Sequence, residues 1–206
     1  MPIALFAKTR RLGLVAALSL ALIAIFEGFY THSYSIPSFD YRWETPLSYL
    51  LGPFLGALCM VTVNSVTPDM EQLAVAPIRL WRTAVTASLC TFQCLAIIGL
   101  RPVVNAFILE SPITDDSLIT LLLSTLTFQA LAILSASMWA DARAWAFPLL
   151  GLVMCVGFGF NSDSTPRPYH VLYTHTPASA IAAAILWLVA IAVLASLSPA
   201  TSGRRR

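Results

Sequence analysis

Charge is what this sequence has least of. Only 11% of its 206 residues are Asp, Glu, Lys or Arg, against about a quarter in soluble domains, and Lys8 is its one lysine. That excludes an ordinary water-soluble domain. It also excludes nucleic-acid binding of the usual kind, because no basic face with interleaved aromatics is present. No G-x-x-x-x-G-K-[ST] stretch occurs, so the chain cannot cradle ATP through a P-loop of its own. No G-x-S-x-G elbow occurs either. His32, His170 and His175 have no Cys, Asp or Glu beside them in ligand spacing, which leaves no metal site. The reading is that the chain is not itself an enzyme and carries no cofactor.

Cysteine is scarce too. Cys59, Cys90, Cys94 and Cys155 all fall inside apolar runs, where they read as small packing residues rather than a disulfide framework. Cys90 and Cys94 are one helical turn apart, the only arrangement that hints at a soft-metal pair.

What the chain has is oil: 58% hydrophobic residues and a mean hydropathy of +0.78. A helix needs roughly 20 predominantly apolar residues to cross a bilayer. Six segments approach that length: Leu12 to Tyr30, Leu47 to Asn64, Leu80 to Leu100, Ser117 to Trp139, Trp145 to Phe160 and Ala178 to Leu197. The expected fold is all-α, a polytopic membrane protein with six transmembrane helices forming one domain over residues 1–206. The first segment follows Lys8, Arg10 and Arg11 but has no A-x-A-like cleavage site after it, so it is read as a span rather than a secretory signal.

Basic residues set the orientation. With both termini cytoplasmic, the inner side holds Lys8, Arg10, Arg11, Arg79, Arg82, Arg143, Arg204, Arg205 and Arg206, and the outer side Arg42, Arg101 and Arg167. Trp43, Trp81, Trp139 and Trp145 lie near span ends, where indole prefers the headgroup zone.

Two polar features interrupt the oil. The first is an internal echo, TFQCLAI at Thr91 to Ile97 and TFQALAI at Thr127 to Ile133, which puts Gln93 and Gln129 near the midplane of spans three and four. An amide in hydrocarbon must be paired or face water. The two therefore form either an interhelical hydrogen bond, worth about 0.6 to 2 kcal/mol, or, with Phe92 and Phe128, a substrate path. Glu27 is the one acid within a span, about a turn from the outer end, a poor position for coupling protons to transport.

The second is the loop SVTPDMEQLAVAPIRLWRTAV, Ser65 to Val85. Thr67 suits an N-cap, Pro68 the first helical position, and Asp69 and Glu71 complement the helix dipole. Met70, Leu73 and Ala74 then share one face, and Pro77 ends a two-turn amphipathic helix at about 67–77. Its two acids disfavour a resting place on anionic lipid, so a protein partner is expected to dock there.

This loop, PDMEQLAVAPIRLWRTAV, resembles the first cytoplasmic loop of six-span permease subunits of ATP-binding cassette (ABC) exporters, most of all the small actinobacterial permeases. ADARAWAFPLLGL and HTPASAIAAAI extend the likeness more weakly. The resemblance implies a coupling helix carried on Asp69, Met70, Glu71, Gln72 and Leu73, followed by Arg79 and Arg82. It implies two copies of a separate cytoplasmic ATPase that bring the ATP and Mg, a second permease copy or a related permease, membrane lipid around the spans, and a bacterial cell membrane. Two features depart from the family pattern: MPIALFAKTRR is shorter than its elbow helix, and the outer loop before span six holds prolines in place of a helical hairpin. The competing expectations are an ion-driven or facilitative transporter acting alone, and a non-transporting scaffold or accessory subunit.

Overall fold

The structure is a computed structural model and describes residues 11–29, 33–38, 41–64, 78–107, 115–139, 144–159, 165–167, 170–172 and 176–196. Among these, the chain forms six α-helices and one β-hairpin: α1 (Leu12–Gly28), β1 (Ser33–Ser38), β2 (Tyr41–Pro46), α2 (Leu51–Val63), α3 (Ile78–Phe107), α4 (Asp115–Met138), α5 (Ala146–Phe158) and α6 (Pro177–Ser196). The helical class read from composition holds. The hairpin is an addition to the expected helices: β1 and β2 run antiparallel, Ser33 opposite Pro46 and Ser38 opposite Tyr41.

Length divides the helices. Those of α3, α4 and α6 are long and apolar enough to cross a membrane. The other three have 17, 13 and 13 residues, and a 13-residue helix rises only about 20 Å against a hydrocarbon core of about 30 Å. A 3-10 turn, Leu47–Leu50, lengthens the entry into α2. The expected number of helices is therefore present, and three of them reach spanning length.

One boundary moves far. The third span was expected to stop at Leu100, because Arg101 and Pro102 read as an exit from the apolar region. Instead α3 has 30 residues and carries Pro102 inside it. A proline there removes one backbone donor and frees the carbonyl a turn earlier, a modest loss near a helix end. The consequence is large: Arg101, expected in an outer loop, is a buried residue within the bundle.

At the other end of the chain, α6 begins as its sequence suggests. Pro177 takes the first helical position, and the hydroxyl of Thr176 accepts the backbone N–H of Ser179 at 3.2 Å while the Ser179 hydroxyl donates to the Thr176 carbonyl at 2.7 Å.

The centre of the bundle is α4. Of its apolar stretch 67% is buried, against 33% for α3 and 22% for α6, and it packs against α2, α3, α5 and α6. Its closest crossing is with α2, where Gly52 and Gly56 lie over Ser124 and Phe128. These glycines, one turn apart, let the two backbones meet without intervening side chains, a mode of association favoured among membrane helices. Helices consecutive in sequence alternate in direction. Leu12 and Trp81 pack on Val85, and Arg82 reaches Leu194, so the start of α1, the start of α3 and the end of α6 share one side.

The bundle turns large apolar side chains outward and buries several polar and charged ones among its apolar core. Leu14, Leu18 and Ile25 of α1, Leu95, Ile98 and Val103 of α3, and Ile181, Ile185, Leu188 and Val189 of α6 face outward, whereas Glu27, Arg82, Gln93, Arg101 and Gln129 are buried. A soluble protein distributes these residue types the other way. Hydroxyls inside satisfy themselves against the preceding turn, as Ser19 does with the Val15 carbonyl at 2.9 Å and Thr127 with that of Leu123 at 2.8 Å, the usual accommodation of Ser and Thr in a helix.

Candidate functional site

The two glutamines that the echo singled out meet. The Gln129 Nε2 group donates to Gln93 Oε1 at 2.8 Å, and both side chains are fully buried. Gln93 is the hub of a larger cluster. Its Nε2 donates to Ser19 Oγ at 2.9 Å and to the Leu55 carbonyl at 3.5 Å, and its Oε1 also accepts from the Cys59 thiol at 3.3 Å. The network thus joins α1, α2, α3 and α4 through one side chain. Below it, the Thr62 and Thr86 hydroxyls lie 3.2 Å apart.

Of the two uses weighed for these amides, the geometry realised here is the interhelical hydrogen bond. Phe92 and Phe128, named with them as a substrate path, are drawn elsewhere. Phe92 lines a groove of about 410 Å³ between α1 and α3, together with Gly13, Ala16, Ala84 and Ser88. Phe128 is fully buried against Cys155 and Leu172.

Since Gln93 serves four partners and Gln129 fewer, Gln93→Leu should lower stability by about 1–3 kcal/mol by leaving buried donors unmet, and Gln129→Leu by less. Thermal unfolding of the purified chain in detergent measures both, and equal losses would show that the hub is not where the hydrogen bonds place it.

The cysteines also gather. The Cys59 and Cys90 sulfurs are 3.6 Å apart, and all four cysteines are free thiols. No set of three or more His, Cys, Asp or Glu side chains able to hold a metal is present among the described residues.

A second polar centre, unforeseen from sequence, lies at the opposite end of α1 from Leu12. Glu27 in the last turn of α1 is fully buried, and Arg101 of α3 is 4% exposed. Arg101 Nε stands 3.8 Å from Glu27 Oε2, and its Nη2 donates to Ser117 Oγ of α4 at 3.0 Å. Neither Glu27 oxygen accepts a hydrogen bond among the described residues. The available signal was the spacing of polar residues on α3: Arg82, Thr86, Cys90, Gln93 and Arg101 recur every three or four positions, with one apolar step at Ile97, and all are buried.

Between the two centres sits an apolar layer of Ile23, Leu51, Leu55, Ile97 and Leu121.

The residues expected to couple to a partner are only partly in view. Asp69, Met70, Glu71, Gln72 and Leu73 lie outside the described residues, as does the side chain of Arg79. Arg82 is described and is 2% exposed. Its Nη2 donates to the Leu194 carbonyl in the last turn of α6 at 2.9 Å, a cation at a helix C-terminus where the dipole favours it. It is a tie between α3 and α6, with little surface to offer another protein.

On the far side, His170 packs against Gly159, where any side chain would collide with the imidazole. Burial holds the histidine below its ordinary range, an effect partly offset by a backbone hydrogen bond.

The fold is a helical bundle with buried polar centres, three of whose helices are long and apolar enough to cross a membrane. Comparison of the chain with protein-family models, with curated proteins and with solved structures finds no match.

Proposed function

We propose that this chain is the membrane-spanning permease subunit of an ABC transporter of the export type, in a bacterial cell membrane, with all six helices as crossing elements and both termini cytoplasmic. The observation that carries the reading is the loop between α2 and α3. An acid-bearing segment, Asp69 to Leu73, followed by Pro77 and a basic-aromatic entry at Arg79, Trp81 and Arg82, interrupts two apolar helices. It joins helix ends on the side that also carries the start of α1 and the end of α6, next in sequence to Lys8, Arg10, Arg11 and Arg204 to Arg206, the side the basic excess makes cytoplasmic.

In this reading a separate ATPase, present in two copies, grips the 67–77 segment and supplies ATP and Mg. The force enters α3, and the Arg82 tie passes it to α6. A second permease copy or a related permease completes the path. Glu71→Arg is expected to abolish co-purification with the ATPase and its stimulated hydrolysis while leaving the thermal midpoint of the chain alone unchanged. Intact assembly and intact stimulation would refute the docking role.

A second reading, an ion-driven transporter acting alone, draws on the buried Glu27 and Arg101. Uptake or release by vesicles of the chain without ATP, under an imposed ion gradient, would favour it.

A further inference from the structure

Glu27 is a buried carboxyl group faced by one charge among the described residues, that of Arg101, and the geometry points to it as a proton-binding site at one end of the bundle.

Three observations lead there. First, the side chain is fully buried and both oxygens lack a hydrogen-bond donor among the described residues, an arrangement that a permanently ionised carboxylate rarely tolerates. Arg101 stands within ion-pair range at 3.8 Å, yet the hydrogen bond it makes from Nη2 goes to Ser117 at 3.0 Å. The cation therefore has a second partner to keep when the carboxylate is neutralised.

Second, the site is separate from the larger spaces described: neither the groove lined by Phe92 nor the apolar crevice between α2 and α5 includes Glu27.

Third, the site stands at one end of the bundle. Glu27 is one residue from the end of α1, with Gly28 and Phe29 beyond it, and the apolar layer of Ile23, Leu51, Leu55, Ile97 and Leu121 separates it from Gln93 and Ser19.

The groups on the elements around this end of α1 can be named. From α3 comes Arg101. From α4 comes the Ser117 hydroxyl, while Asp116 beside it is exposed. The turn at Leu47–Leu50, packed on α1, carries Ser48, whose buried hydroxyl has no partner among the described residues. From α2 come Leu51 and Leu55, which pack with Ile23 of α1. Arg101 is thus the one charge set against the carboxyl among the described residues. Binding a proton converts the ion pair into a neutral acid beside an arginine held by serine, which loosens α1 from α3 while α3 stays joined to α4. This holds whether or not an ATPase docks on the far side, and it is read on the purified chain alone.

The test is infrared difference spectroscopy of the chain in lipid nanodiscs, titrated with acid and base. In the difference between the native chain and Glu27→Gln, which cancels the bands of the other nine acids, a protonated-carboxyl stretch should appear on acidification and titrate as a single proton. Glu27→Gln should abolish it, Glu27→Asp should move it, and Arg101→Gln should carry the protonated form to higher pH by about one to three units, the span over which a close opposite charge acts. Absence of such a band in the native chain, or a band that Glu27→Gln leaves in place, would overturn the assignment. If Glu27→Gln fails to fold, an unmoved band in Glu27→Asp overturns it equally.

Discussion

Arg101→Leu is expected to destabilise the purified chain by about 3–5 kcal/mol at alkaline pH, the cost of stripping a buried charge of its partner. The expectation follows from an asymmetry between the two members of the pair. Glu27 accepts no hydrogen bond among the described residues, so Arg101 at 3.8 Å is what compensates its charge. Arg101 in turn keeps Ser117 when Glu27 is gone. Glu27→Leu should therefore cost less than Arg101→Leu, and the double substitution should recover much of the larger loss, because replacing both charges by apolar side chains removes their desolvation as well as their attraction. Thermal unfolding in detergent closes the double-mutant cycle. Strictly additive losses would mean that the two side chains do not sense each other, and the ion pair would lose its place in the bundle.

That pair also shows where a sequence of this kind stops being legible. Apolar length located every helix to within a few residues except the end of α3, and the reason is local. Arginine followed by proline is ordinarily a signal to leave the membrane, yet at Arg101 a buried glutamate on α1 provides a reason to stay, and nothing in the one-dimensional pattern connects positions 27 and 101. The glutamines were accessible because burial depth can be counted along a helix. Two amides at equal depth on adjacent spans have few alternatives to pairing, and Gln93 and Gln129 meet at 2.8 Å. What counting could not supply was the third dimension: that Ser19 and Cys59 would share the same hub, and that Phe92 and Phe128 would turn away from it. Arg82 was visible as a residue at the cytoplasmic end, but its function as a tie depends on where α6 finishes. The hairpin at Ser33–Pro46 escaped because its residues lie among prolines and serines that read as loop.

The α2 glycines were in plain view as GPFLG, Gly52 to Gly56, and the pattern of small residues one turn apart is a known contact face. Their substitution should produce the second large effect. A β-carbon at Gly56 would meet the Phe128 carbonyl oxygen at 2.6 Å and its carbon at 2.8 Å. Both are backbone atoms, so α4 itself must move. At Gly52 the nearest atom is the Ser124 hydroxyl at 2.5 Å, which can rotate away, and the backbone stands off at 3.1 Å. Gly56→Ala is expected to cost about 1–3 kcal/mol, the usual range for overpacking, and Gly52→Ala distinctly less; Gly56→Leu should prevent recovery of a monodisperse protein. Suppression separates this account from a general loss of helix quality. Ser124→Ala removes the obstructing hydroxyl and should relieve Gly52→Ala, whereas Phe128→Ala leaves the obstructing carbonyl where it is and should not relieve Gly56→Ala. Because Phe128 precedes Gln129, a displaced α4 also strains the amide pair. Gly56→Ala combined with Gln129→Leu should then be less destabilised than the sum of the two single changes, the mark of one packed unit in which the glycine crossing sets the depth at which the glutamines meet.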